Sequence, residues 1–331
     1  MRAWMLPGLM GVESMKVEEV ADPVAGEGEV VIAVEFAALN PADRYLAMGQ
    51  YPARPAFPHV LGRDGIGKVV AVGKGVSGIR EGDVRLIMRS EVGVARWGTL
   101  AEKVAVEARY TAEVPSGWTH EEAAAAPLVY ITAWQALTQW GDGKALSPGT
   151  TVLVTGASGG VGVACVQVAH AMGCTVVGLS RSKEKGEKLR GMGADVVLNP
   201  EGKGWRKELF AQLGQRPVNV AVDNIGGALF NEVIETLGMW GKVSVVGRLA
   251  GPVPEFNTAS LFFRRLQIGG VAIGTYTNEE SHGAWRSVLE TLGKTGAKPV
   301  VDRVFGFGEV MGAFERLQEG PMGKVVVRVG A

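Results

Sequence analysis

The chain has 331 residues, enough for two domains that each bury a core of their own. Its 34 lysines and arginines balance its 34 aspartates and glutamates, and without a basic run it lacks the electrostatic features of a nucleic-acid-binding protein. We find no signal peptide or membrane-spanning stretch, and the two cysteines, Cys165 and Cys174, lie in predicted buried elements, so the sequence predicts a cytoplasmic protein without disulfides.

The first third of the chain is rich in short strands. Apolar, β-branched runs at 29–37, 67–72 and 99–106 are separated by glycine- and aspartate-containing turns such as 81–83. Long helical periodicity is scarce in this part of the sequence. The pattern predicts a β-rich, barrel-like domain.

A strand, a glycine-rich loop, a helix and a second strand follow one another from residue 150. The strand at 150–155 leads into Gly-Ala-Ser-Gly-Gly-Val-Gly at 156–162, apolar residues then recur at helical spacing, and 175–179 is a second buried strand. Such a βαβ unit binds the pyrophosphate of a dinucleotide through backbone N–H groups and a helix N-terminus. A plain turn is the alternative, and the surrounding elements argue against it. The predicted binding residues are Gly156, Ser158, Gly159, Gly160, Val161 and Gly162.

The end of the second strand predicts which nicotinamide cofactor binds. Folds selective for NAD place an acidic residue here for the ribose hydroxyls, whereas this chain has Ser180, followed by Arg181 and Lys185. Cationic side chains can pair with the 2′-phosphate of NADPH. The alternative is that the lysines form the solvated face of a serine-capped helix. The sequence therefore predicts NADPH as the cofactor.

Strands and helices continue to alternate toward the C-terminus. Apolar strands at 218–223 and 242–246 each end at a glycine turn, which predicts a doubly wound parallel sheet. A helix-like stretch at 309–318 precedes a last strand at 323–329. Spacing alone leaves open whether that strand rejoins the first domain.

Several short motifs are spread over nearly the whole chain. They are Asn-Pro-Ala-Asp at 40–43, Gly-Gln-Tyr-Pro at 49–52, Pro-His-Val-Leu-Gly-Arg-Asp-Gly at 58–65, Gly-Asp-Val at 82–84, the glycine loop, and Gly-Lys-Val-Val at 323–326. With these motifs the chain resembles the medium-chain dehydrogenase/reductase superfamily, specifically its zinc-free quinone oxidoreductase branch, which includes zeta-crystallin. The loop opens with Gly156 where the family usually has alanine, a small difference.

The resemblance implies a fold, a cofactor and an assembly. The fold is α/β, with a GroES-like β-rich barrel domain at 1–121 and 279–331 and a Rossmann doubly wound parallel sheet domain at 122–278. NADPH would bind to the Rossmann domain, and a small electrophilic substrate would react in the cleft. The family also implies a homodimer joined through edge strands.

The resemblance also concerns metal ions. Zinc-dependent members of the family have a cysteine where this chain has Asn40 and a His-Glu pair where it has Arg63 and Asp64, and they carry a four-cysteine lobe. None of the four histidines forms an i, i+4 pair or neighbours a cysteine. The sequence therefore predicts no metal site. A zinc-free site suits acceptors in which conjugation spreads the developing negative charge, such as quinones and α,β-unsaturated carbonyl compounds.

Two residues are the predicted catalytic groups. Tyr51 can donate a hydrogen bond to an enolate oxygen, as its equivalent does in related enoyl-thioester reductases. The family motif implies that Asn40 contacts the nicotinamide and the substrate carbonyl, and Asp43 would fix the loop rather than act as a base. The alternatives are that Tyr51 only packs in the cleft and that Asn40 only caps a turn.

Three further residues are assigned to the cofactor. Thr132 matches the family position near the nicotinamide. Asn224 and Gly247 end predicted strands, where ligands of doubly wound sheets bind. Ordinary strand-end roles are the alternative for all three residues.

Short-chain dehydrogenases carry a similar glycine loop, and two observations argue against that family. Its chains begin with the loop, which here follows about 150 residues of other sequence. They also need a Tyr-x-x-x-Lys pair downstream, whereas Tyr276 is followed four places on by Glu280. The resemblance to that family is therefore confined to the loop.

The predicted function is that of an NADPH-dependent, metal-free reductase, which transfers hydride to a quinone or an α,β-unsaturated carbonyl compound. One alternative is a 2-enoyl thioester reductase, for which Arg44, Arg54 and Arg63 could bind an acyl carrier. The alternative from another class is an NADPH-binding structural or regulatory module without turnover.

Overall fold

The computed structural model describes residues 1–88, 91–141, 143–253 and 255–330, which form two compact units with an α/β fold. Unit 1 contains Met1–Leu128, Thr277–Ser281 and the chain from Lys298 onward. Unit 2 contains Val129–Tyr276 and His282–Ala297. Each unit has its own cluster of buried apolar side chains, as expected for domains of this size.

The elements of the described residues are given in chain order. The strands are β1 (Arg2–Leu6), β2 (Lys16–Glu19), β3 (Glu29–Ala38), β4 (His59–Val60), β5 (Asp64–Val72), β6 (Val84–Ile87), β7 (Lys103–Glu107), β8 (Thr111–Glu113), β9 (Thr151–Val154), β10 (Thr175–Leu179), β11 (Val196–Leu198), β12 (Val218–Asp223), β13 (Leu237–Val245), β14 (Gln267–Gly270), β15 (Val301–Gly306) and β16 (Lys324–Arg328). The α-helices are α1 (Pro41–Ala47), α2 (His120–Ala124), α3 (Pro127–Thr138), α4 (Gly160–Ala171), α5 (Lys183–Gly191), α6 (Trp205–Gln212), α7 (Gly227–Ile234), α8 (Ala259–Arg264), α9 (Asn278–Gly293) and α10 (Val310–Gln318). None of these helices is both long and apolar enough to cross a membrane.

Unit 1 is built around β3, whose ten residues are mostly buried. One sheet has the order β15-β16-β3-β5-β6-β8, and β7 also pairs with β3. Strand β16 runs antiparallel to β3, with Val326 opposite Ala38, so the last strand does rejoin the first unit. The predicted strand at 99–106 is shorter than expected, because Thr99 and Leu100 instead bond to the backbone of Gly62 and Leu61.

Unit 2 is the predicted doubly wound sheet. Its strand order is β11-β10-β9-β12-β13-β14, and every neighbouring pair is parallel. All four residues of β9 are buried, which explains their apolar, β-branched sequence. Strand β13 starts earlier than predicted, at Leu237, through an irregular pairing with β12 that includes a positive φ at Trp240.

The stretch 282–297 belongs to unit 2, although it lies between two parts of unit 1 in the sequence. This stretch covers most of α9, and its apolar side chains Trp285, Val288 and Leu292 are buried. The local sequence of a helix gives no signal of the unit against which its apolar side chains are buried. The domain bounds expected from the sequence stay a prediction.

Candidate active site

The glycine loop joins β9 to α4 in unit 2. Gly156 has a φ of +57°, a left-handed conformation that favours glycine. A Cβ on Gly162 would lie 2.2 Å from the Gly156 carbonyl oxygen, so only glycine permits this close approach of helix and loop. Gly159 is the N-cap of α4, and the first N–H groups of a helix lack intrahelical partners. The residues present therefore fit the pyrophosphate of a dinucleotide.

A network of hydrogen bonds holds the ends of β9 and β12 together beside the loop. The Thr155 hydroxyl donates to the Asp223 carboxylate (Oγ1–Oδ1 2.7 Å) and accepts from the Asn224 backbone N–H. The Asn224 side-chain amide donates to the Thr155 carbonyl (2.8 Å), and Gly247 lies against the Asn224 backbone. The two predicted strand-end residues, Asn224 and Gly247, thus come together. Asp223, which the sequence reasoning did not select, is fully buried and anchors the network.

The end of β10 carries the residues predicted to select NADPH. Ser180 is buried, and its hydroxyl donates to the Ser182 carbonyl. Ser182 rather than Ser180 caps α5, because its hydroxyl accepts from the Lys185 backbone N–H (3.3 Å). Arg181 is exposed and lies 3.5 Å from a Glu201 carboxylate oxygen, a partner that sequence reasoning missed. A cation is thus available here for a 2′-phosphate, with Glu201 competing for it.

Thr132 lies within α3 of unit 2 and is buried. Its neighbours Ile131 and Ala133 are also fully buried. The family resemblance, rather than a local pattern, marked this position in the sequence. Its assignment to the nicotinamide stays a prediction.

A buried polar cluster in unit 1 contains Asn40, Asp64 and Lys324. The Lys324 ammonium donates to Asn40 Oδ1 (2.6 Å) and to Asp64 Oδ2 (3.0 Å). Asn40 Nδ2 donates to the same Asp64 oxygen (2.9 Å), and the Leu128 backbone N–H donates to the other (3.1 Å). The polar atoms of the Asn40 side chain are therefore engaged within the cluster. The sequence reasoning did not select Lys324 as a site residue. A signal was available, because a lysine that begins the apolar run Lys-Val-Val-Val of a buried strand is unusual.

The Asn40 loop continues into a second charged group. Asn40 is the N-cap of α1, and its backbone N–H donates to Asp43 Oδ2 (2.8 Å), so Asp43 does fix the loop. Asp43 is fully buried, and its other oxygen lies 3.7 Å from Arg63 Nε. Burial raises the pKa of Asp43 to about 6, and this effect outweighs the opposing charge of Arg63.

Tyr51 and Arg63 are in direct contact. Arg63 Nη1 donates to the Tyr51 hydroxyl oxygen (3.0 Å), and the guanidinium carbon lies 4.3 Å from the centre of the Tyr51 ring. Arg63 is only 9% exposed, and Tyr51 is half-buried against the unit 1 core. The structure therefore brings three of the sequence-selected positions, Asn40, Tyr51 and Arg63, into one region of unit 1.

Asn40, Arg63 and Asp64 include none of the cysteine or histidine side chains that zinc prefers as ligands. Two cations, the Arg63 guanidinium and the Lys324 ammonium, pair with Asp43 and Asp64 in this region. Zinc prefers cysteine and histidine ligands, and a second cation beside Lys324 would be repelled. Among the described residues, we find no group of three or more His, Cys, Asp or Glu side chains that could hold a metal ion.

The two cysteines are buried and unpaired, as predicted. Burial raises the pKa of the Cys165 thiol, and raises that of Cys174 to about 11. A buried thiol with a raised pKa is a poor nucleophile, because the thiolate is the reactive form. Both residues therefore act in packing.

Two family models match separate parts of the chain. Residues 26–116 match the alcohol dehydrogenase GroES-like domain, and residues 160–301 match the zinc-binding dehydrogenase family. Among curated relatives, a quinone oxidoreductase of Lama guanicoe is 30% identical over 99% of this chain and 97% of its own length. A 2-methylene-furan-3-one reductase of Solanum lycopersicum is 33% identical over 99% of this chain and 79% of its own length. An acryloyl-coenzyme A reductase of Metallosphaera sedula is 30% identical over 95% of this chain and 96% of its own length.

Solved structures give the same architecture over the whole chain. An NAD-dependent alcohol dehydrogenase superposes with a TM-score of 0.90, at 32% identity and complete coverage of both chains. A mycobacterial protein complexed with NADPH superposes with a TM-score of 0.88, at 27% identity over 99% of this chain and all of the other. The GroES-like and Rossmann architecture is therefore shared along the full length.

Proposed function

The chain belongs to the medium-chain dehydrogenase/reductase superfamily, in its quinone oxidoreductase branch, and we propose that it is a metal-free, NADPH-dependent reductase. The proposal refines the coarser finding that the chain is an oxidoreductase that uses a nicotinamide cofactor. Its substrates are quinones or α,β-unsaturated carbonyl compounds. The observation that carries this proposal is the cluster of Asn40, Asp64 and Lys324. It puts an ammonium ion beside two positions at which, by the family resemblance, zinc-dependent members have metal ligands.

The proposed enzyme has no metal ion to act as a Lewis acid, and this limits the substrates that it can reduce. Reduction of an isolated ketone concentrates negative charge on one alkoxide oxygen, which calls for strong electrophilic help. In a quinone or an enone, conjugation spreads that charge, so that a neutral hydrogen-bond donor stabilises it sufficiently. Tyr51 is a half-buried phenol of unit 1, and the sequence selected it as the donor. The quinone oxidoreductase and the 2-methylene-furan-3-one reductase among the relatives support this class.

The residues of the chain have separate tasks in the proposed mechanism. The nicotinamide, when bound, supplies the hydride. The glycine loop binds the pyrophosphate through the N-terminus of α4. Tyr51 donates a hydrogen bond to the acceptor oxygen as the electron pair moves onto it. Asn40 holds the geometry of its loop through Asp64 and Lys324.

The proposed function is tested by one panel of assays. Purified protein is mixed with NADPH or NADH and with a small quinone, an enone or crotonyl-CoA, and cofactor oxidation is followed at 340 nm. We expect turnover with NADPH and the first two acceptors, unchanged by a zinc chelator. A preference for crotonyl-CoA would favour the thioester reductase, which the acryloyl-coenzyme A reductase among the relatives supports. Quenching of NADPH fluorescence without turnover of any acceptor would favour a binding module.

The preference for NADPH over NADH depends on the end of β10. We expect Arg181→Ala to raise the KM for NADPH about tenfold and to leave the KM for NADH unchanged, because a 2′-phosphate loses its cation. Lys188→Ala is the matched control, since Lys188 is also exposed but pairs with Glu184 on α5. Steady-state kinetics with both cofactors give the answer. An equal loss for both cofactors would contradict a role at the 2′-phosphate.

A homodimer is part of the same proposal. Strand β14 is the last strand of the parallel sheet, and large apolar side chains are exposed on β13, β14 and α8. These side chains are Met239, Trp240, Phe262, Phe263 and Ile268. An unpaired strand edge beside exposed aromatic side chains favours pairing with a second copy. Sedimentation velocity should give the mass of two 34.9 kDa chains, and the mass of one chain would exclude the dimer.

A further inference from the structure

The contact between Arg63 and Tyr51 fixes the direction of a hydrogen bond. A guanidinium group has N–H donors and no acceptor, so the Tyr51 oxygen must accept from Arg63 Nη1. The Tyr51 hydroxyl proton therefore points away from Arg63. In the part of the chain that the structure describes, the Tyr51 hydroxyl donates no hydrogen bond to another protein group. A half-buried phenol is thus left with a free donor.

The Arg63 side chain is held at an energetic cost. Its Nε and Nη2 atoms are buried without a hydrogen-bond partner, and so is Oδ1 of Asp43, 3.7 Å from Nε. Unpaired buried donors and a loosely paired buried charge both destabilise a fold. A better-packed or fully paired side chain at this position would be more stable. The Arg63 guanidinium therefore calls for a role beyond packing.

The buried carboxylate of Asp43 holds the guanidinium in place. Asp43 is tied to the start of α1 through the Asn40 N–H, while Arg63 directly precedes β5. The other charged groups near Asp43 are Lys324 and Asp64. Asp43 thus supplies the nearest counter-charge of Arg63 from a second element of unit 1. The guanidinium is fixed on one side by Asp43 and on the other by the Tyr51 ring.

We propose that Arg63 is a positioning residue that commits the Tyr51 hydroxyl to donate its proton toward the acceptor oxygen of the substrate. This inference rests on the role of Tyr51 in the proposed function. A side chain at 63 that can only donate preserves this direction. A side chain that can also accept allows Tyr51 to turn its proton inward, and the substrate then loses its donor.

The test compares two replacements that differ in this property. Lysine has donors only, whereas the amide of glutamine can also accept. We expect Arg63→Lys to keep kcat within about threefold of the wild type, and Arg63→Gln to lower it about 10- to 100-fold with little change in the KM for NADPH. Arg85→Gln is the control, because Arg85 is a partly buried arginine of unit 1 whose side chain bonds to Thr111. Thermal melts show whether each variant is folded.

A double-mutant cycle separates this role from a structural one. Tyr51→Phe should lower kcat about as much as Arg63→Gln does, and the double variant should lose no more than Tyr51→Phe alone. Losses that multiply, or equal kcat values for Arg63→Lys and Arg63→Gln, would overturn the role of Arg63 and leave the proposed function standing. An unaffected kcat in Tyr51→Phe would instead overturn the donor role of Tyr51, and with it this inference.

Discussion

Lys324→Met should lower the free energy of unfolding by about 3–5 kcal/mol, because it leaves a buried carboxylate without its cation. The Lys324 ammonium lies 3.0 Å from Asp64 Oδ2 and 2.6 Å from Asn40 Oδ1, and all three side chains are buried. Methionine fills a similar volume but offers neither charge nor donor. Urea denaturation at pH 7, followed by far-UV circular dichroism, measures the change.

Two further variants show whether the charge, rather than the volume, is responsible. Lys68→Met replaces an exposed lysine of β5 in the same unit, and it should change stability by less than about 0.5 kcal/mol. In Asp64→Asn combined with Lys324→Met, the unpaired charge is removed, and part of the lost stability should return. A double variant whose losses simply add would show that the ammonium and the carboxylate are not coupled.

The sequence was most informative where structure is local. The run at 218–223 is β12 and that at 175–179 is β10, residue for residue, because most positions of a strand covered on both faces are buried and apolar. Asn219, which is exposed, and the buried Asp223 are the polar exceptions in β12. The glycine loop was equally clear, since the close approach at Gly162 excludes every other side chain. These patterns, together with the family resemblance, predicted both units and the order of the βαβ elements.

Local sequence patterns could not predict the polar cluster of unit 1. Lys324 and Asn40 are 284 positions apart, and they meet only because β16 pairs with β3. Spacing left that pairing open, so the lysine of Gly-Lys-Val-Val was seen as part of a motif but not as a partner of Asn40. The internal bonds of Asn40 likewise show that it supports its loop, while its predicted contact with the nicotinamide and the substrate stays a prediction.

The charged neighbours of Arg63 illustrate the same limit. The sequence places Arg63 next to Asp64, yet the structure directs the two side chains to different partners, Tyr51 and Lys324. Arg63 lies just before β5 and Asp64 is its first residue, so neighbours in the sequence belong to different hydrogen-bonded groups. The raised pKa of Asp43 also depends on complete burial, which the sequence of a short helix such as α1 does not reveal.

Gly162→Ala should raise the Kd for NADPH about 100-fold, a change of about 2.7 kcal/mol. The new Cβ would lie 2.2 Å from the Gly156 carbonyl oxygen and 2.7 Å from the Ala157 backbone, so the loop and the start of α4 must separate. That separation moves the N–H groups that we propose bind the pyrophosphate. Fluorescence titration with NADPH measures the affinity, and a thermal melt reports the accompanying loss of stability.

Two glycines of the same unit act as controls for this substitution. A Cβ on Gly191 meets nothing within 4 Å, so Gly191→Ala should leave the affinity for NADPH unchanged. A Cβ on Gly159 meets only an ordinary contact at 3.5 Å, so Gly159→Ala should fold normally and still bind NADPH poorly, because the methyl group occupies the space of the ligand. If Gly159→Ala and Gly162→Ala both bound NADPH like the wild type, the cofactor would not lie on this loop.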